Sequence, residues 1–174
     1  EDDVEIRKLT LKNNSESTRE LDITSYCEVT LNRYNADLVH PAFANLFIST
    51  EFIDEENCLL ANRRKRESNG KEYWAMETLA VSGEVIGSIQ YETSRLNFIG
   101  RCKDLNKPEI IEEDKPLTNT VGAVLDPILS IRVRVKIPAG GQCTVAYSLG
   151  FSDSRENAIN LSKKYKDWGK DRKS

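Results

Sequence analysis

A chain of 174 residues, 39% of them hydrophobic, can bury one sizeable core or two small ones. The formal net charge of −3 and the isoelectric point near 5.4 give no global basic field, which disfavours nucleic acid as a partner. No apolar run approaches the ~20 residues that cross a bilayer, and no signal-peptide pattern opens the sequence, so membrane contact by this chain is not expected. Glu1 falls in what reads as the middle of a strand and Met76 is the only methionine, the pattern of a piece of a longer polypeptide.

Residues 4–12 place Val4 and Ile6 in one phase and Leu9 and Leu11 in the other, which predicts a β-bulge near Lys8. After a turn cluster at 13–17, Leu21, Ile23, Ser25, Cys27, Val29 and Leu31 line one face of a long antiparallel return strand. Residues 32–44 break the alternation and read as a loop carrying the only histidine, His40. Loops of that length are uncommon unless they have a function. Residues 46–52 and 58–63 make a hairpin around an acidic turn, and the basic run 63–66 followed by 67–70 reads as a solvated hairpin end. Residues 73–81 are largely apolar on both faces, the mark of an inner strand. A short strand at 87–91 runs into an irregular polar and aromatic segment, 92–101. Residues 102–119, with two prolines and five acidic residues, read as surface connection.

The most regular stretch is 126–151. Ile131, Val133, Val135 and Ile137 alternate with Arg132, Arg134 and Lys136, which predicts a strand with one buried and one wet face. Pro138, Ala139, Gly140 and Gly141 stop it, and Cys143, Val145, Tyr147 and Leu149 begin an uncharged strand that should lie deeper in the sheet. The pair reads as a hairpin that needs a second apolar layer, so the expected fold class is all-β, a sandwich. After Phe151 the period becomes helical: Asp153 with Glu156 fits a capping box, and Ala158, Leu161, Tyr165 and Trp168 form a stripe over roughly four turns. That stripe must cover either this sandwich or a domain outside the chain.

The four cysteines, Cys27, Cys58, Cys102 and Cys143, include no C-x-x-C pair, and His40 alone gives a Cys/His zinc site little support. Reduced thiols in a reducing, cytoplasmic compartment are expected. No serine nucleophile setting and no Gly-rich phosphate loop is present, so no catalytic residue, metal or cofactor is expected in this chain. Two segments stand out, one with Asp37, His40 and Phe43 and the other with Arg95, Phe98 and Arg101. Both put aromatic and hydrogen-bonding side chains in loops, a composition that holds sugars or a neighbouring domain. On a purely structural reading His40 bonds locally, while Phe43 and Phe98 plug the end of the sandwich.

Ser25-Tyr26-Cys27-Glu28, Asp37-Leu38-x-His40-Pro41-Ala42-Phe43, Glu92-Thr93-x-Arg95-x-x-Phe98-Ile99-Gly100-Arg101 and Val121-Gly122-Ala123-Val124-Leu125-Asp126-Pro127-Ile128 occur in order along the chain. In these the sequence resembles the sandwich domain of glycoside hydrolase family 94, formerly glycosyltransferase family 36, in the form found in bacterial cyclic β-1,2-glucan synthases. The resemblance implies a large two-sheet antiparallel β-sandwich, a supersandwich of the galactose-mutarotase-like kind, over 1–151. Residues 152–174 would then open a helical linker to an (α/α)₆ barrel. It further implies that the parent protein cleaves or builds a β-glucoside with inversion, with inorganic phosphate as co-substrate of the phosphorylases. The acid and the phosphate-binding residues would belong to the barrel.

This chain would then be a non-catalytic scaffold and interface. The alternative, an autonomous carbohydrate-binding module, wants a row of exposed aromatics, whereas Trp74 lies on a predicted inner strand and Trp168 on the terminal helix. The partners implied are the barrel and, through the parent, a β-glucan or oligosaccharide, with a homodimer left open. For a cyclic glucan synthase the implied location is the cytoplasmic face of the inner membrane. Asp37, His40, Phe43, Arg95, Phe98 and Arg101 are the residues expected to face substrate or barrel. Segments 37–43 and 93–101 should converge at one end of the sandwich, with His40, Arg95 and Arg101 bonding across the junction and Phe43 and Phe98 packed beneath.

Overall fold

Alternating apolar residues put most of the chain into strands, and each strand needs a partner surface for its apolar face. The computed structural model describes residues 2–65 and 70–167. In chain order the elements are β1 (Val4–Lys12), β2 (Arg19–Thr24), β3 (Cys27–Glu28), α1 (Tyr34–Val39), α2 (Pro41–Asn45), β4 (Ile48–Ile53), β5 (Cys58–Arg63), β6 (Tyr73–Ser82), β7 (Glu84–Ser94), α3 (Arg95–Ile99), α4 (Glu109–Glu112), β8 (Pro127–Ile137), β9 (Gln142–Ser152) and α5 (Arg155–Lys166). They form two antiparallel sheets. One has the order β1-β9-β6-β5-β4; in the other, β8 is the hub to which β2, β3 and β7 all pair. Ile131, Val133, Val135 and Ile137 of β8 meet Leu59, Ala61, Leu79, Val145 and Tyr147 of the first sheet in the main core. Each such fully buried aliphatic side chain contributes about 1.5–3 kcal/mol.

β8 and β9 are therefore not a hairpin. They face each other across the core in different sheets, and the turn at 138–141, with Gly140 at φ 68° and Gly141 N–H bonded to Pro138 O at 2.9 Å, carries the chain over. The link from β1 to β2 also crosses between sheets, as does the turn at Gly83 between β6 and β7. A Cβ at Gly83 would lie 2.8 Å from Cys143 Sγ, so that crossing needs the glycine's open face. β9 lies between β1 and β6, deep in its sheet as its lack of charge predicts.

The predicted bulge in β1 is absent, since the register runs unbroken from Val4↔Gly150 to Lys12↔Gln142. The phase change has another cause. Val4 packs against the outer cluster of Cys58, Leu60 and Met76, whereas Leu11 turns inward to the main core, so one straight strand serves both faces. The long return strand is likewise two short strands, β2 and β3, broken at Ser25, whose backbone N–H bonds to Ile131 O at 3.0 Å while its hydroxyl accepts from Ile131 N–H at 2.8 Å. Residues 32–44 are largely helical, as α1 and α2, and the short strand expected at 87–91 is part of the 11-residue β7, whose register slips between Ile86 and Gln90 near Gly87 at φ 70°.

The outer face of the first sheet is covered by α5, on which Ala158, Leu161 and Tyr165 pack against Cys58, Leu60 and Met76. The helical stripe thus covers this sandwich; Trp168 lies outside the described residues. The cap of α5 is Ser154, whose Oγ accepts from Asn157 N–H at 3.2 Å, and not Asp153, which instead receives the Asn157 side-chain amide at 3.0 Å. Arg66 of the basic run and residues 67–69 after it are also outside the described residues. Arg63 is not at a solvated tip: it is buried, donates to Ala44 O at 2.9 Å and lies 5.5 Å from the Phe47 ring centroid. All four cysteines are free, and burial pushes the Cys58 thiol up to about 12.

Candidate functional site

Arg132 and Glu92 shape one end of the second sheet. Arg132 was expected on the wet face of β8, yet it is buried beneath the connection 102–119, donating to Lys115 O at 2.7 Å and to Thr24 Oγ1 at 2.9 Å. That connection is more than surface, because Ile110 and Leu117 pack with Phe98, Ile99 and Ile128 in a second core. Glu92, at the end of β7, is fully buried and every contact satisfies it. Oε1 accepts from the backbone N–H groups of Thr93 at 3.0 Å and Ser94 at 2.9 Å, and Oε2 accepts from the Thr118 hydroxyl at 2.5 Å. The carboxylate thereby ties the start of α3 to residues 117–120.

With α3 fixed, Ser94 Oγ caps it by accepting from Asn97 N–H, and Arg95 is aimed at β3 and the start of β8. Its Nε donates to Glu28 Oε1 at 3.1 Å, and its other guanidinium arm is 3.8 Å from Asp126 Oδ2. The Tyr26 hydroxyl donates to the same Glu28 oxygen at 2.8 Å; burial first, then Glu28, push this phenol up to about 12. Asp126 completes the group. Its backbone oxygen accepts from Arg95 N–H at 2.9 Å and its Oδ1 from the Asn45 amide at 3.1 Å, so it joins the end of α2 to the start of α3. Burial raises the Asp126 carboxyl, with Arg95 opposing.

Large apolar side chains stand out from these elements and from α1. Leu125 is 77% exposed, Leu96 62% and Val39 67%, with Leu38 and Phe43 also exposed. Exposed apolar side chains on α2, α3 and the stretch before β8, which the network ties together, and on the adjoining α1 have the composition of a contact surface.

The two segments singled out in the sequence are linked here through Asn45, Asp126 and Arg95. Arg95 is in the network and Phe98 is buried against Tyr26, with ring centroids 5.1 Å apart. Phe43 is exposed rather than packed beneath, and touches Phe47 edge-on at 5.2 Å. His40 precedes α2 with an exposed ring, its carbonyl accepting from Ala44 N–H at 3.0 Å, and Arg101 is exposed in the turn after α3. Neither side chain joins the network. Asp37 is in α1, and its side chain is outside what the structure describes. Sequence reasoning passed over Glu28, Asn45, Glu92 and Asp126, although three of them stand inside the motifs quoted above. The available signal was an acid placed where a strand's alternation stops. Because Arg95 is partly exposed, Arg95→Ala is expected to lower the stability of this chain by less than ~1 kcal/mol, as read from urea midpoints.

Among the described residues no group of three His, Cys, Asp or Glu side chains could hold a metal ion, and no helix is long and apolar enough to cross a membrane. Two antiparallel sheets packed face to face, with a helix on the outer face of the first, define a β-sandwich. The family model described as "Glycosyl hydrolase 94, supersandwich domain" matches residues 1–168, and the chain belongs to that family. It is similar to the cyclic beta-(1,2)-glucan synthase NdvB of Rhizobium meliloti (strain 1021), with 28% identity over 95% of this chain and 6% of that protein. It is also similar to the solabiose phosphorylase of Paenibacillus borealis, with 25% identity over 94% of this chain and 20% of that protein. The chain thus spans a small fraction of the curated relatives it matches.

Proposed function

We propose that this chain is a non-catalytic scaffold and interface domain of a β-glucan phosphorylase or cyclic glucan synthase, and that the surface around Asp126 seats the catalytic barrel of the parent protein. The observation that carries this reading is the coincidence of exposed Leu38, Val39, Phe43, Leu96 and Leu125 with the Asn45–Asp126–Arg95–Glu28 network. The network joins α2, α3 and the stretch before β8, so it fixes the relative placement of Phe43, Leu96 and Leu125, and a fixed arrangement lowers the ordering cost of docking. Residues 1–151 are the sandwich in this proposal and 152–174 the start of the connection to the barrel, with α5 clamped to the first sheet so that the connection leaves from a rigid point. Phosphate would be a co-substrate of the parent alone, a β-glucan or oligosaccharide would be met through the barrel, and the location would be cytoplasmic. A self-standing carbohydrate module is less well supported, because the exposed aromatics Phe43, Tyr73 and Phe151 amount to one tilted pair and one further ring rather than a flat row.

The chain alone should be catalytically silent. Incubated with β-linked gluco-oligosaccharides and inorganic phosphate, it is expected to release no glucose 1-phosphate. Turnover that co-purifies with the chain would overturn the reading.

A further inference from the structure

Tyr73 at the start of β6 and Phe151 near the end of β9 leave the main core at the end of the first sheet, where the chain beyond β3 passes as Leu31, Asn32 and Arg33. Their ring centroids are 5.8 Å apart with planes tilted by 31°, and the two residues are 40% and 41% exposed. They floor a cavity of about 790 Å³, within the size range of small-molecule sites. Its walls carry Arg33, Arg64, Lys65 and Lys71, with the buried Arg63 behind. Lys65 is paired with Glu72 at 3.1 Å, whereas Arg33 and Lys71 have no acidic partner among the described residues. The chain as a whole is acidic, at −3, so this concentration of positive charge is local.

We propose that this groove binds a hexose phosphate. Two half-exposed rings in a shallow V suit the puckered C–H face of a pyranose better than a planar base, which wants a parallel slot. Cations converging from the β5 side and from the chain beyond β3 match a compact dianion that accepts several charge-assisted hydrogen bonds at once. None of the groove residues belongs to the Asp126 network, and the proposal stands whether or not that surface seats a barrel.

The test titrates the 174-residue chain with glucose 1-phosphate, glucose and inorganic phosphate, following backbone amides by NMR. Glucose 1-phosphate is expected to shift the amides of Gly70, Lys71, Tyr73 and Phe151 saturably, and to bind at least about tenfold more tightly than either component. The double variant Arg33→Ala/Lys71→Ala should weaken it by about tenfold or more with an unchanged melting temperature, and Tyr73→Ala should erase the preference over inorganic phosphate. The proposal fails if no saturable shifts occur at these residues. It fails equally if inorganic phosphate binds as well as the sugar phosphate, which would mark a plain anion patch, or if the well-folded variants bind unchanged.

Discussion

Glu92→Ala should lower the unfolding free energy of this chain by ~3–5 kcal/mol, a loss at the upper end for a single substitution. The carboxylate is fully buried and accepts from Thr93 N–H, Ser94 N–H, the Thr118 hydroxyl and the Thr118 N–H, the last at 3.4 Å. Alanine would strand these donors in a dry site, and each unsatisfied donor costs about 1–3 kcal/mol, offset in part by any water that enters the space. Glutamine keeps one acceptor oxygen and should lose roughly half as much. Because α3 and residues 117–120 are joined through this side chain, the variant should also loosen Arg95 and its contact with Glu28. Urea unfolding measures the effect directly, and a shift below ~1 kcal/mol would mean that the hydrogen bonds described here do not hold the segment.

The second large effect depends on pH. Glu77 is on the inward face of β6, 3% exposed, and its Oε2 has no hydrogen-bond partner among the described residues. Burial pushes its carboxyl from the ordinary 4.5 up to about 8, with the Ser25 hydroxyl and the Arg7 charge pulling the other way. The Tyr147 hydroxyl and the Cys27 thiol also feel this group, and the negative form raises both. A folded value above the unfolded one means that the folded state holds a proton which the unfolded chain has released. The contribution of Glu77 is therefore fully present below pH ~4.5 and is lost as pH rises to about 8, at ~1.4 kcal/mol per pH unit. Glu77→Gln keeps the shape without the titration. The variant should match the parent chain near pH 4.5 and exceed its stability by several kcal/mol at pH 8. Carboxylates such as Asp22, lowered by Arg134, give slopes of the opposite sign, and the difference between the two proteins cancels them. A difference that does not grow with pH would show that Glu77 is ionised in the folded chain.

Strand positions were legible wherever alternation was strict, as in β8 and β9, because a two-residue period has one structural meaning. What the turns do was not legible. The turns before β2, β7 and β9 all pass between sheets, yet a glycine-rich turn between two apolar strands looks the same whether the second strand lies beside the first or opposite it. The phase change in β1 was misread for a related reason: a strand buried on different faces at its two ends shows the same residue pattern as a bulge. Glu77 and Glu92 were hidden because an acid inside an apolar strand can be read only as an exception. Whether one oxygen is left unpaired, as at Glu77, or both are satisfied, as at Glu92, depends in part on Ser25 and Thr118, which are distant in sequence. Arg95 is found through its motif, while its partners Glu28 and Asp126, and Asn45 that bonds to Asp126, come from three other segments that only the fold brings together.

Hydrogen–deuterium exchange on the chain alone and on the same residues within the parent polypeptide would test the interface most directly. Residues 38–46, 95–97 and 121–126 should exchange more slowly in the parent, because docking on Leu38, Val39, Phe43, Leu96 and Leu125 would cover them. Equal exchange of these residues in both settings, with any slowing confined to other parts of the sandwich, would contradict the assignment of the Asp126 surface as the seat of the barrel.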